Sequence, residues 1–323
     1  MTNKIIYIRQ NKPGGTDNYC KALFRLFQND SVLEPQPICD IPTIHSRLFH
    51  YYYLPSALKE AIKKADIVHI NGYTAMGTVQ AILTAKRLQK TIAYTAHWHP
   101  FKCLRHPVLG KLFFDLILRP LVKRYVDVVF TINNEDTKFF KIFHHNVIQI
   151  PHFYIPLNIN SHPVKKKNMV LFVGRTDDPV KGIEHLYQIP EGTYDIHCIG
   201  KGMIERKDFH QHTNIPDEEL AALYSEAAVL VIPSKYEAFS YAALEALSYG
   251  TPVVMSERVR IADYLSGCQG VFIFKYGDYL DFKEKIHSAI GTTPNPQFIY
   301  QKFSADKIKQ EYRTAYIKAK KGR

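Results

Sequence analysis

Residues 236 to 254 read YEAFSYAALEALSYGTPVV, with two carboxylates, Glu237 and Glu245, eight positions apart around a run of small residues. AVLVIPS before them reads as a strand, KYEAF as a loop, and SYAALEALSYG as a helix stopped by Gly250 ahead of the strand PVV. Glu237 then sits in the loop, and Glu245 lies more than one turn inside the helix. Ala238, Ser240, Ala242 and Ala243 leave room for a ligand at the helix N-terminus, whose free N–H groups favour a phosphate. The competing reading is a surface helix carrying two solvated glutamates. Upstream, VGRTDDPVKGIEHL (173–186) runs from a strand into Gly174 and Arg175, then reaches Lys181 and Gly182 six residues later at a helix start. Two fixed cations on one loop can clamp a diphosphate and offset the charge that grows on a departing phosphate.

Two further clusters lie in the first half. In NKPGGTDNYCKAL (11–23), Gly14 and Gly15 follow the first strand and allow backbone to approach a phosphate or sugar, with Thr16 or Asp17 able to cap the next helix. In TAHWHP (95–100), a neutral His97 can hydrogen bond a hydroxyl while the backbone fixes its other nitrogen; a buried structural histidine is the alternative. His97, His99, Cys103 and His106 also invite a metal reading, but their spacing places them in a loop without a second ligand pair. Asp177 and Asp178 raise the same question. No metal and no cofactor are expected.

Elements that would position these groups recur in order. Short β-branched runs at 4–9, 66–71, 91–97, 126–132 and 146–151 alternate with amphipathic stretches near 16–28, 55–65, 75–89, 107–125 and 134–143. The alternation restarts after residue 165 with NMVLFVGR, YDIHCIG, AAVLVIPS, TPVVMS and VFIF. This is an α/β chain of two doubly wound, Rossmann-like domains, expected to face each other across a cleft at the carboxyl ends of their strands. Expected boundaries are 1–155, 156–303 and a closing helix, 304–323, packing back across both. Ser304 is its N-cap, and Ile308, Tyr312 and Tyr316 form its apolar stripe.

The segment PSKYEAFSYAALEALSYGTPVV resembles the signature of the retaining glycosyltransferases of family 4, which have the GT-B fold, of the type that builds bacterial polysaccharides and glycolipids. The resemblance implies that Glu237 contacts the donor sugar, that Glu245 holds the nucleotide ribose, and that the amides of Phe239, Ser240, Tyr241 and Ala242 approach sugar and phosphates. Ser240 departs from the family's glycine, which is expected to narrow the space for the sugar. The resemblance also implies that Arg175 and Lys181 bind the diphosphate, that Gly14 and Gly15 form the N-terminal glycine loop, that His97 reaches the donor sugar, that Gly200 lies near the nucleotide, and that Asn214 and Ile215 meet the base. Tyr224 reads as core. The implied reaction is transfer of a hexosyl or N-acetylhexosaminyl group from a nucleotide-diphosphate sugar to an acceptor hydroxyl, with retention by front-face attack and without a metal. A sugar-nucleotide epimerase and a non-catalytic partner subunit are the alternatives. A glycoside hydrolase needs both acids flanking one glycosidic bond, which Glu245, deep in the helix, does not allow.

Charge narrows the partners. Residues 1–155 hold 20 Lys+Arg against 10 Asp+Glu, and residues 156–323 hold 22 against 20, so nearly all of the net +12 lies in the first half. Such a surface serves solubility or attracts phosphate groups. No nucleic-acid-binding module is recognisable. Segments 50–64 and 101–124 interleave Lys and Arg with aromatic and aliphatic residues, as interfacial helices do, so a lipid-linked or cell-surface glycan acceptor and an anionic membrane surface are the expected partners. MTNKIIYIRQ enters what reads as the first strand, and VLGKLFFDLILRPLV is broken by charges and Pro120, so neither signal sequence nor membrane span is expected. The expected location is cytoplasmic, possible peripheral contact with the inner face of the cell membrane included. Five cysteines, an odd number without paired spacing, are expected as thiols.

Overall fold

The structure is a computed structural model that describes residues 2–10, 15–41, 43–45, 50–52, 56–72, 75–97, 107–155 and 165–322. The chain divides into two compact units, Met1–His152 with Ala305–Arg323, and Phe153–Ser304. The break lies close to the expected one, but residues 305–323 group with the first unit, where sequence reasoning had set 304–323 apart.

In the first unit, β1 (Asn3–Gln10), α1 (Gly15–Phe27), β2 (Leu33–Pro35), β3 (Cys39–Ile41), β4 (Thr43–His45), β5 (His50–Tyr52), α2 (Ser56–Lys64), β6 (Ile67–Asn71), α3 (Ala75–Arg87) and β7 (Thr91–Thr95) follow in order. After them come α4 (Pro107–Phe113), a π-helical turn over Phe114–Leu118, α5 (Arg119–Tyr125), β8 (Val128–Thr131), α6 (Asn134–Lys141) and β9 (Val147–Gln149). The main sheet is parallel, in the order β2-β1-β6-β7-β8-β9 with β3 also on β1. β6 and β7 are buried along their whole length, which is why neither shows an alternating solvent-facing side, and their polar residues His69, Asn71, Thr91 and Thr95 are buried with the rest. The π-helical turn interrupts what sequence reasoning took as one helix over 107–125. Pro120 has no N–H to donate one turn back, and Arg119 N–H bonds the Phe114 carbonyl five residues away.

The closing helix, Ala305–Lys321, belongs to this sheet because its stripe is buried there: Ile308, Tyr312 and Tyr316 are inaccessible, as the spacing predicted. Tyr312 Oη meets Tyr19 Oη at 2.6 Å, Tyr316 Oη meets His69 Nδ1 at 2.7 Å, and Lys309 and Arg313 both pair with the buried Asp30 carboxylate. Burial pushes Asp30 upward, but the bonds from Arg313, the Val32 and Leu33 amides and Lys309 outweigh it and hold the carboxyl at about 2.

Buried imidazoles make this unit acid-sensitive: His69, His97 and His152 are the most deeply enclosed, and His144, also buried and lowered by burial, adds to them. Burial holds His69 and His152 at about 3 and His97 well below its ordinary value. Their folded values lie below the 6.5 of a free imidazole, so folding selects the neutral form; that contribution is complete above pH 6.5 and is lost as pH falls toward 3. His69, His97 and His152 each add a slope of about 1.4 kcal/mol per pH unit, so these three together contribute about 4 kcal/mol per unit below pH 6. Urea unfolding between pH 7.5 and 5 should show falling stability; a flat profile contradicts neutral burial.

The second unit comprises β10 (Met169–Val173), α7 (Glu184–Tyr187), β11 (Asp195–Ile199), β12 (Phe209–His212), α8 (Asp217–Glu226), β13 (Val229–Ile232) and α9 (Tyr241–Ser248), then β14 (Val253–Ser256), α10 (Ala262–Leu265), β15 (Val271–Phe274), α11 (Tyr279–Ala289) and α12 (Gln297–Lys302). Its parallel sheet runs β12-β11-β10-β13-β14-β15. From β10 the order turns one way to β11 and the other way to β13. The loops leaving β10 and β13 therefore meet at the switch point where open parallel sheets bind ligands.

Candidate active site

Both loops of that switch point carry the predicted charged residues. After β10, Arg175 Nη2 donates to Asp178 Oδ2 at 2.8 Å, Val180 N–H donates to Asp178 Oδ1, and Lys181 N–H donates to the Asp178 carbonyl. Asp178 thus shapes the turn and orients Arg175. Gly182, at φ +74°, closes the turn against the loop after β13, where a Cβ would overlap the Pro233 carbonyl; only glycine fits. Lys235 N–H donates to the Val180 carbonyl at 2.8 Å, completing the seam between the loops.

Lys181 and Glu237 meet across that seam. Lys181 Nζ stands 3.4 Å from Glu237 Oε2, and Ser234 Oγ donates to the same oxygen at 3.1 Å. The Glu237 backbone is held on both sides, with its N–H to the Arg258 carbonyl and its carbonyl to Arg260 N–H. Side-chain exposures of 28% for Lys181 and 19% for Glu237 leave the pair partly screened but reachable. A pyrophosphate and a sugar hydroxyl can each take one member, so the ion pair holds both side chains aimed at the same place.

Glu245 has a different environment. It lies four residues into α9, and its Oε2 accepts from Tyr224 Oη at 2.7 Å. Burial raises its carboxyl above the usual value, with the Tyr224 bond offsetting part of that rise. Tyr224, read as core, is buried as expected, but its hydroxyl positions Glu245. A buried tyrosine needs a partner for its hydroxyl, and that requirement was the available signal. Ser234 was likewise missed.

The remaining second-unit residues are placed as follows. Phe239 and Ser240 are buried ahead of α9, while Tyr241 and Ala242 begin it, half-exposed. Phe239 packs edge-on against Tyr241 and Phe303. Ser240 is 1% exposed and its Oγ is inaccessible, so the side chain that replaces glycine turns inward and not into open space. Gly200, at φ +145°, lies against Gly174, whose carbonyl a Cβ there would meet; this joins the turns after β10 and β11. Asn214, at φ +54°, and Ile215 lie in the turn between β12 and α8.

In the first unit, Gly14 lies outside the described residues, as do His99, Cys103 and His106, and Gly15 opens α1. Thr16 and Asp17 fall inside α1 and not at its cap; Asp17 pairs with Arg9 and Lys21. His97 follows β7 at φ +67°, a left-handed backbone that non-glycine residues rarely hold outside constrained sites. Its second nitrogen is fixed by a side chain, where the backbone was expected. Asn71 Nδ2 donates to the His69 carbonyl, which turns Oδ1 to accept from His97 Nε2–H at 3.0 Å. Nδ1 is left as an acceptor, suited to a ligand hydroxyl.

Two parallel-sheet Rossmann-like units give this chain the GT-B fold of glycosyltransferases. Residues 167–291, which include Arg175, Lys181, Glu237 and Glu245, match the family described as Glycosyl transferases group 1. Among curated proteins, an MMP α-(1→4)-mannosyltransferase of Mycolicibacterium hassiacum is 35% identical over 107 residues, 28% of this chain and 26% of that protein. The chain therefore aligns with about a quarter of that relative's length. Among solved structures, sucrose-phosphate synthase of Thermosynechococcus elongatus superposes with TM-score 0.69 at 17% identity, covering 98% of both chains. Anabaena HepE in complex with UDP and glucose gives TM-score 0.72 at 14% identity, over 97% of this chain and 98% of that one.

Proposed function

We propose that the chain is a retaining glycosyltransferase that moves a hexosyl or N-acetylhexosaminyl group from a nucleotide-diphosphate sugar to an acceptor hydroxyl of a lipid-linked or growing cell-surface glycan. The observation that carries this reading is the Lys181–Glu237 pair at the switch point of the second sheet, inside the segment that matches group 1 glycosyltransferases. Support for a nucleotide-sugar donor comes from HepE, which holds UDP and glucose on a similar fold. In this reading Glu245 takes the ribose hydroxyls, Arg175 and Lys181 bind the diphosphate, and Glu237 orients the sugar; in the first unit, His97 Nδ1 is available to a ligand hydroxyl. Gly200 and the Phe239–Ala242 stretch allow backbone to approach donor oxygens, and Asn214 and Ile215 border the base.

In the step itself, the acceptor oxygen bonds to the anomeric carbon on the face that the phosphate leaves. The bond from that carbon to the phosphate oxygen breaks, its electron pair goes to the phosphate, and the departing phosphate takes the acceptor proton. The two cations offset the charge on the leaving group, the task a divalent ion would otherwise perform. Thermal-shift screening of nucleoside diphosphates and their sugars selects the donor. NMR of the product then tests the reading: a transferred sugar keeping the donor's anomeric configuration is expected. An inverted product contradicts retention, and isomerisation of the donor without acceptor favours an epimerase.

A membrane-borne acceptor has its own observation. Val108, Leu109, Leu112, Leu116 and Ile117, between 41% and 73% exposed, crowd α4 and the π-helical turn beside Lys111, Arg119, Lys123 and Arg124. No helix among the described residues is long and apolar enough to cross a membrane. Exposed aliphatics next to a basic cluster suit the surface of an anionic bilayer. The chain is expected to float with anionic liposomes, less so at high salt, and not with neutral ones; no flotation with either removes this part.

A further inference from the structure

The second unit carries a cluster of imidazoles at its sheet edge that the donor site does not use. β12 is the edge strand, and in its register with β11 His197 stands beside His210 and Ile199 beside His212. Side chains alternate along a strand, so Asp195, His197, His210 and His212 share one face, while Ile196, Cys198 and Phe209 point into the core on the other. Asp195 Oδ1 lies 3.2 Å from His197 Nε2 and 3.1 Å from His210 Nε2, and one ligand atom from each of the three residues falls within 4.8 Å of the others. A tetrahedral ion with bonds of about 2.0–2.2 Å sets neighbouring ligand atoms about 3.3–3.5 Å apart. Two of the three spacings are therefore nearly in place before any ion arrives.

We propose that Asp195, His197 and His210 bind a divalent transition-metal ion of the zinc type, tying edge strand β12 to β11. The ligand set is two imidazoles and a carboxylate, which zinc accepts, with water as the fourth ligand on the open side, where His210 is 62% exposed. His197 is 12% exposed, so it anchors the inner side of the site on β11 while His210 closes it from the edge strand. The orientation of His197 is also provided for: its Nδ1 lies 2.9 Å from His212 Nε2, and Glu219 Oε1 stands 4.0 Å from His212 Nδ1. With the ion bound, His197 gives its Nε2 lone pair to the metal and donates Nδ1–H to His212. The ring proton moves from Nε2 to Nδ1 by exchange with solvent, and His197 stays neutral. His212 is a positioning residue. Its carbonyl also accepts Gly200 N–H at 2.9 Å, so the ion would steady the turn that leads to Asn214 and Ile215.

The test titrates the whole chain, stripped with EDTA, with zinc chloride against a chromogenic chelator, and with cobalt for its visible spectrum. One tight equivalent with a tetrahedral cobalt spectrum is expected in wild type. His210→Gln and Asp195→Asn are expected to weaken it at least about tenfold, and His212→Ala about 10- to 100-fold. His210 and Asp195 both reach solvent, so their variants are expected to fold; circular dichroism checks this. Absence of zinc uptake by wild type, or uptake unchanged in both His210→Gln and Asp195→Asn, overturns the site.

Discussion

Glu237→Gln is expected to lower turnover about 100- to 1,000-fold while donor affinity changes less than about fivefold. The amide keeps the size of the side chain and can still accept from Ser234, but it loses the negative charge to which the proposed function assigns stabilisation of a sugar ring turning cationic in the transition state. It also frees Lys181 from its 3.4 Å partner, so the diphosphate meets an unpaired cation and binding does not suffer. Turnover falling far more than affinity is the signature of an interaction made mainly in the transition state. Near-normal turnover in this variant contradicts the role assigned to Glu237.

The cations should respond the opposite way. Arg175→Ala and Lys181→Ala are each expected to weaken nucleoside diphosphate binding about 10- to 100-fold, the scale of a charge-assisted hydrogen bond removed from a partly buried site. Lys181→Ala should be the more damaging. It leaves the Glu237 carboxylate facing the phosphates without its partner, whereas Arg175 is 64% exposed and turned toward Asp178. Calorimetry with diphosphate and monophosphate separates the effects: the loss should concentrate on the diphosphate. Equal affinity of wild type and both variants contradicts the clamp.

Much of this arrangement was legible in the residues. Buried parallel strands announce themselves as apolar runs, and the ten proposed from sequence are all present. β12 escaped because FHQH has one inward apolar residue and three polar ones, the composition of an edge strand open on one side. The π-helical turn was hidden because Pro120 falls two residues after it, where a proline also suits the start of an ordinary helix. At the site, sequence spacing identified the charged residues but not their partners. Glu237 and Lys181 are 56 positions apart, and only the pairing of β10 with β13 brings their loops together. Asn71 and Tyr224, which orient His97 and Glu245, carry no local pattern because each acts through a group distant in sequence.

The pairing of Lys181 with Glu237 as a divided receptor for a sugar nucleotide is most directly tested by titrating the chain with UDP-, GDP-, ADP- and dTDP-sugars and following nucleoside diphosphate release with acceptor present. The account predicts that one of these nucleotide classes binds in the micromolar to low millimolar range typical of enzyme substrates and is consumed by wild type but not by Glu237→Gln. Failure of every donor to bind, or consumption unaffected by Glu237→Gln and Lys181→Ala together, would contradict it.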